Sequence, residues 1–104
     1  MSDRPFTLGF VGTAEAGMAD AVRAYEDEVL ALLPDHGARV LYRGHRAEGQ
    51  DPSLPVEVHL LWFPSRTAFD AYLADERRQA ALDRHGDVFT DKVVVELDEV
   101  SACT

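Results

Sequence analysis

Residues Val56 to Asp75, VEVHLLWFPSRTAFDAYLAD, leave few folds open to this chain. Val56, Val58, Leu60 and Trp62 alternate with Glu57, His59, Leu61 and Phe63, which is the period of a strand. Pro64 has no N–H to give a sheet ladder, and the Ser65 hydroxyl suits the cap of a first helical turn. Phe69, Tyr72 and Leu73 then fall at the i, i+3, i+4 spacing of a buried helical face. A strand that turns straight into a helix, with Trp62 at the corner, marks a place for a pocket.

The segments around this stretch read as follows. Pro5 to Gly12 is a strand with Phe6, Leu8 and Phe10 alternating against Thr7, Gly9 and Val11. Gly9 and Gly12 weaken it and predict a twist, a bulge or a close approach of another group. Thr13 is expected to cap a helix over residues 14–33, with Met18, Val22, Tyr25, Val29 and Leu32 as its apolar stripe. Glu15, Asp20, Glu26 and Asp27 are assigned to the opposite face, and the acidic run at 26–28 reads as solvated, not as a metal site. Pro34 to Gly37 end that helix. Residues 38–46 form a second strand and 47–55 a polar loop; a hairpin turning near Asp51 sets Arg43 opposite His59 and His45 opposite Glu57. A break and second cap at Asp75 precede another helical segment ending at Gly86. Residues 90–100 form the last strand, with Val93, Val95 and Leu97 on one side.

The order β-α-β-β-α-β predicts an α+β fold of ferredoxin-like type over residues 1–104. Right-handed connections put both helices on one face of a four-stranded antiparallel sheet. Phe6, Leu8, Phe10, Val40, Val56, Val58, Leu60 and Trp62 are assigned to the covered face. Thr7, Val11, Leu41, Leu61, Phe63 and Val94, with Arg39, Arg43, Glu57, His59 and Glu96, are assigned to the other. That second face is too apolar to lie bare, so the chain is expected to form a homodimer through it.

With 104 residues and a formal net charge of −9, the chain is one domain poorly suited to nucleic acid or an anionic membrane surface. It shows no signal sequence or membrane-length apolar run, and its single cysteine, Cys103, reads as an incidental thiol. A cytoplasmic location is therefore expected. Phosphate loops, nucleophile elbows and paired-Cys motifs are absent from the sequence, and His36, His45 and His85 share no metal-ligand spacing. Neither a cofactor nor a metal is expected.

Trp62 to Leu82, WFPSRTAFDAYLADERRQAAL, resembles the strand-end Trp, turn, Ala-Phe helix start and basic helix of the dimeric α+β barrel superfamily, which includes the antibiotic-biosynthesis monooxygenases. The resemblance in layout covers nearly the whole chain; its specific part is these residues. The F-P-S turn also resembles a second, functionally undescribed branch that usually has an acidic residue where Trp62 stands. In the monooxygenase branch the strand-end Trp borders a cavity that holds an aromatic substrate without metal or flavin. The resemblance implies the same for Trp62, which as a core tryptophan would look no different. Haem-degrading relatives have an iron-binding histidine ten residues on; this chain has Tyr72, which speaks against haem degradation.

The expected ligand is thus a small apolar, aromatic or polyketide-like molecule. The expected reaction is a cofactor-independent oxygenation, or a cyclisation or isomerisation. The alternative is a non-catalytic binding or accessory dimer. On the enzyme reading Trp62, Tyr25, Tyr42 and Phe69 line the pocket, while His59, Tyr72 and Arg43 handle protons and charge. His59 fits a general base for a phenol or enol, or an interface histidine facing a partner subunit. Arg43 fits an enolate or carboxylate clamp, or a partner for Glu57 or Glu96.

Overall fold

The computed structural model describes residues 3–98 and 100; Cys103 lies outside them. In chain order these form β1 (Phe6–Thr13), α1 (Ala19–Leu30), a 3-10 turn (Leu33–His36), β2 (Arg39–His45), β3 (Glu57–Phe63), α2 (Arg66–Leu73), α3 (Glu76–His85) and β4 (Asp91–Leu97). The strands make one antiparallel sheet in the order β2-β3-β1-β4. Leu8, Leu61 and Phe63 of the sheet cluster with Leu30, Leu33 and Tyr72 of the helical layer. Helices thus cover one face of an α+β, ferredoxin-like sheet. No helix among the described residues is long and apolar enough to cross a membrane.

Local chemistry sets the element ends. The Ser65 hydroxyl accepts from the Ala68 N–H at 3.0 Å and opens α2. Asp75 accepts from the Arg77 N–H at 2.9 Å, which opens α3 at the expected break. The first helix is shorter than residues 14–33. Gly17 takes a left-handed φ of 87°, so the chain turns there and helix begins only at Ala19, after Met18 rather than Thr13. The Gly12 prediction of a close approach is met by the Phe89 ring, which lies where a Cβ would stand.

The hairpin register pairs Arg43 with His59 and His45 with Glu57, as the turn near Asp51 predicts, with a bulge at Leu41 between Val40 and Tyr42. The facing of β3 is the reverse of the expectation. Directly paired residues of an antiparallel ladder share a face, and the pairs are Phe6 with Phe63, Leu8 with Leu61 and Phe10 with His59. Leu61, Phe63, Glu57 and His59 therefore lie under the helices, and Arg43, Val94 and Glu96 share that face. Val58, Leu60 and Trp62 lie on the open face with Val93, Val95 and Leu97. Both phases of β3 offer apolar residues, so hydrophobicity alone cannot choose. Phe63, with no exposure, packs against Phe6, Phe69 and Tyr72, and the two inward polar residues are satisfied by hydrogen bonds.

Candidate functional site

Glu57 begins β3 with no solvent exposure, a position a carboxylate holds only if its oxygens are paired. Arg43 donates to both: Nε to Oε2 at 3.2 Å and Nη2 to Oε1 at 3.1 Å. His45 Nε2 lies 2.6 Å from Oε1, and His59 Nδ1 lies 2.7 Å from Oε2. Four N–H groups thus fill the four lone-pair positions of one carboxylate. Burial alone would raise the Glu57 carboxyl; the hydrogen bonds from His59, Arg43 and His45 outweigh it and hold Glu57 below its ordinary value. The network also fixes tautomers. His45 Nδ1 accepts from Arg23, so Nε2 carries the proton it gives Glu57. His59 gives its Nδ1 proton to the carboxylate, which leaves Nε2 with a free lone pair.

His59 is itself buried, stacked on Phe10 with ring centroids 4.4 Å apart, and it lines a cavity of about 320 Å³ between sheet and helices. Leu8, Phe10, Leu61, Phe69 and Val94 supply apolar wall; Glu26, His59, Tyr72, Arg78 and Lys92 supply polar groups. Glu26 is 5% exposed, and its carboxyl is pushed up to about 8, first by burial and then by the charge of Glu57. At neutral pH this is a protonated acid beside the His59 ring. A larger cleft of about 540 Å³ lies by Arg66, but Arg66 pairs with Glu96 there and Asp3 is taken by Thr67. The smaller cavity, by contrast, has a buried Arg78 Nε without a partner beside it.

Of the residues expected at a pocket, His59, Tyr72 and Phe69 line this one together. Arg43 does not reach it; it holds Glu57 and, through Nη1, Asp27 at 2.6 Å. Tyr25 packs edge-on to His85 and borders an adjoining groove. Trp62 and Tyr42 are on the opposite face, Trp62 under the Arg39 guanidinium at 4.5 Å, because β3 presents its other phase inward. Tyr72 donates its hydroxyl to the Val29 carbonyl at 2.9 Å, and burial raises its pKa, so the proton is already committed.

The solvated reading of Glu26 is also corrected. It lies four residues after Val22 and three before Val29, on the buried stripe itself, and that spacing was the available signal. Glu26, Glu57 and His59 bring ligand atoms within 4.8 Å of one another. A cation there would have to displace Arg43 or a histidine from Glu57, whose lone pairs are all engaged, so the donor set fits a proton network better than a metal.

Fold and site together define a ferredoxin-like α+β protein with a buried carboxylate–imidazole pair on an internal cavity. No protein-family model and no curated protein matches the chain. Solved structures do. An RPA0582 protein of unknown function from Rhodopseudomonas palustris is 17% identical with a TM-score of 0.73, over 97% of this chain and 86% of that one. A NIPSNAP-like domain protein from Burkholderia xenovorans is 13% identical with a TM-score of 0.75, over 99% and 91%. A candidate antibiotic biosynthesis monooxygenase from Chloroflexus aurantiacus is 18% identical with a TM-score of 0.68, over 96% and 97%. At these identities the likeness is one of fold, that of the antibiotic-biosynthesis-monooxygenase-like and NIPSNAP proteins.

Proposed function

We propose that the protein is a small acid–base enzyme acting without a cofactor on an aromatic or polyketide-like molecule of the kind handled in secondary metabolism. His59 Nε2 removes a proton from a phenol or an enolisable carbon, Glu57 stabilises the imidazolium that results, and the protonated Glu26 donates a hydrogen bond to the oxygen that gains charge. The carbanion formed is the common precursor of cyclisation, of isomerisation and of reaction with dioxygen. The observation that carries this reading is the His59–Glu57 pair at 2.7 Å on the wall of a largely apolar cavity. The monooxygenase description of one structural neighbour is compatible with it.

The test is proton–deuterium exchange at the activated carbon of β-diketones and hydroxylated aromatics, followed by NMR in D2O. Exchange that the protein accelerates and His59→Ala abolishes supports the enzyme. Saturable binding with no accelerated exchange on any compound leaves the non-catalytic binder.

The open face is proposed to be covered by a second copy of this chain. Val58, Val93 and Val95 are each exposed there, beside Leu60, Trp62 and Leu97. A slab 42 by 41 Å across offers ample room for the ~800 Å² per partner of a stable interface. One apolar patch meeting its own copy is the isologous arrangement of a two-fold dimer.

A further inference from the structure

We propose that the cavity takes an organic acid, a small molecule with an apolar or aromatic body whose carboxylate is bound by Arg78 and Lys92. The inference rests on the acid–base reading for where chemistry occurs, and it adds the class of molecule. Both cations line the cavity, and both line the adjoining groove beside Tyr25, Leu73, Gln79 and Leu82, so they stand where the two spaces meet. Glu26 and His59 border the cavity but not the groove, which puts the proton-handling groups further in.

What sets these two residues apart is their place, since no other cation among the described residues lines the cavity. With 19 Asp and Glu against 10 Lys and Arg, a cation in this chain has carboxylates to spare, and Arg43, Arg66, Arg77 and Arg84 each take one. Among the described residues Arg78 and Lys92 take none; Arg4, Arg23, Arg39 and Arg46 take none either, but they lie away from the cavity. Arg78 Nε is buried without a hydrogen-bond partner among those residues. Glu26 shares the cavity but forms no ion pair with either, and its proton is retained at neutral pH.

An unpaired guanidinium N–H away from water costs free energy that a ligand oxygen would recover. The guanidinium is also positioned in advance: it lies over the Tyr72 ring, 4.8 Å from its centroid, which limits the rotamer freedom a ligand would have to freeze. Lys92, on the edge strand, adds a second, mobile charge of the kind that tolerates variation in the anion. The remaining wall, Leu8, Phe10, Leu61, Phe69 and Val94, suits a hydrocarbon body, and 320 Å³ is at the small end of ligand cavities.

Isothermal titration of the full chain with 2-naphthoate and its neutral isostere 2-naphthamide tests this at equilibrium, without turnover. The acid is expected to bind at least about tenfold more tightly than the amide, the size of one charge-assisted contact. Arg78→Gln and Lys92→Gln should each remove most of that preference, lowering acid affinity more than amide affinity. Equal affinities, failure of the acid to bind, or a preference that survives both substitutions would overturn the proposal. If Arg78→Gln fails to fold by circular dichroism, the exposed Lys92→Gln decides alone. Because His59-dependent exchange is measured separately on neutral compounds, either reading can fail while the other stands.

Discussion

The His59 imidazole is held at two points, by Glu57 Oε2 at 2.7 Å from Nδ1 and by the parallel Phe10 ring 4.4 Å away. Stacking sets the plane of the ring and the carboxylate sets its rotation in that plane, so Nε2 has a single bearing. A base fixed this way needs no reorganisation when it takes a proton, and the charge that forms meets a carboxylate already present.

The pair therefore predicts unequal effects of substitution on proton exchange. His59→Ala should lower the accelerated rate by roughly 10²–10⁴-fold, the usual share of a general base. Glu57→Gln keeps the volume but turns an amide NH2 toward donors, so two of the four contacts become clashes of N–H groups. It should reduce the rate while leaving binding of a neutral ligand intact. Equal rates in wild type and His59→Ala would exclude His59 as the base.

Glu26 makes a prediction about stability. Its carboxyl ionises near 4.5 in the unfolded chain and near 8 in the folded one. Between those values the folded state binds the extra proton, so this residue's contribution to stability falls as pH rises. Glu57 has the opposite sign: its folded value is depressed, so the stability it adds is lost as pH falls through that lower value. Glu26→Gln removes only the first effect. Urea unfolding at pH 5 and pH 8 should show the variant gaining on wild type by on the order of a few kcal/mol at the higher pH. No difference between the two pH values would mean that Glu26 is ionised in the folded state.

The same two carboxylates show how far the residues could be read in advance. Element order, both side-chain caps and the Arg43–His59 register follow from local rules that act within a few residues of one another: a missing N–H at Pro64, a hydroxyl at Ser65, a turn near Asp51. The facing of β3 does not, because its two phases are both apolar at one end and the choice is made by β1, some fifty residues away in the chain. Once Glu57 and His59 turn inward, Glu26 on the α1 stripe finds its neighbours, and Trp62 goes to the other face. A single reversal thus exchanged Trp62 for Glu57 and His59 on the covered face.

Tyr72 predicts a small effect where the sequence suggested a proton donor. Its hydroxyl is bonded to the Val29 carbonyl, so Tyr72→Phe should cost about 1 kcal/mol of stability, the worth of one hydrogen bond, and leave the exchange rate within about twofold of wild type. A fall in rate comparable to that of His59→Ala would return Tyr72 to the reaction.

The open face supplies the last test. Val95 is 46% exposed in the monomer, near the middle of β4, and pairs across the ladder with Gly9. A lysine there is tolerated if the face is wet and is buried twice over if a second copy covers it, once from each subunit. Sedimentation equilibrium should therefore give a dimer for wild type and a folded monomer for Val95→Lys. The Trp62 emission should also move to longer wavelength in the variant, because Trp62 shares that face through Thr7. A wild-type monomer at micromolar concentration would rule the interface out. A dimer that survives the lysine would place the contact elsewhere.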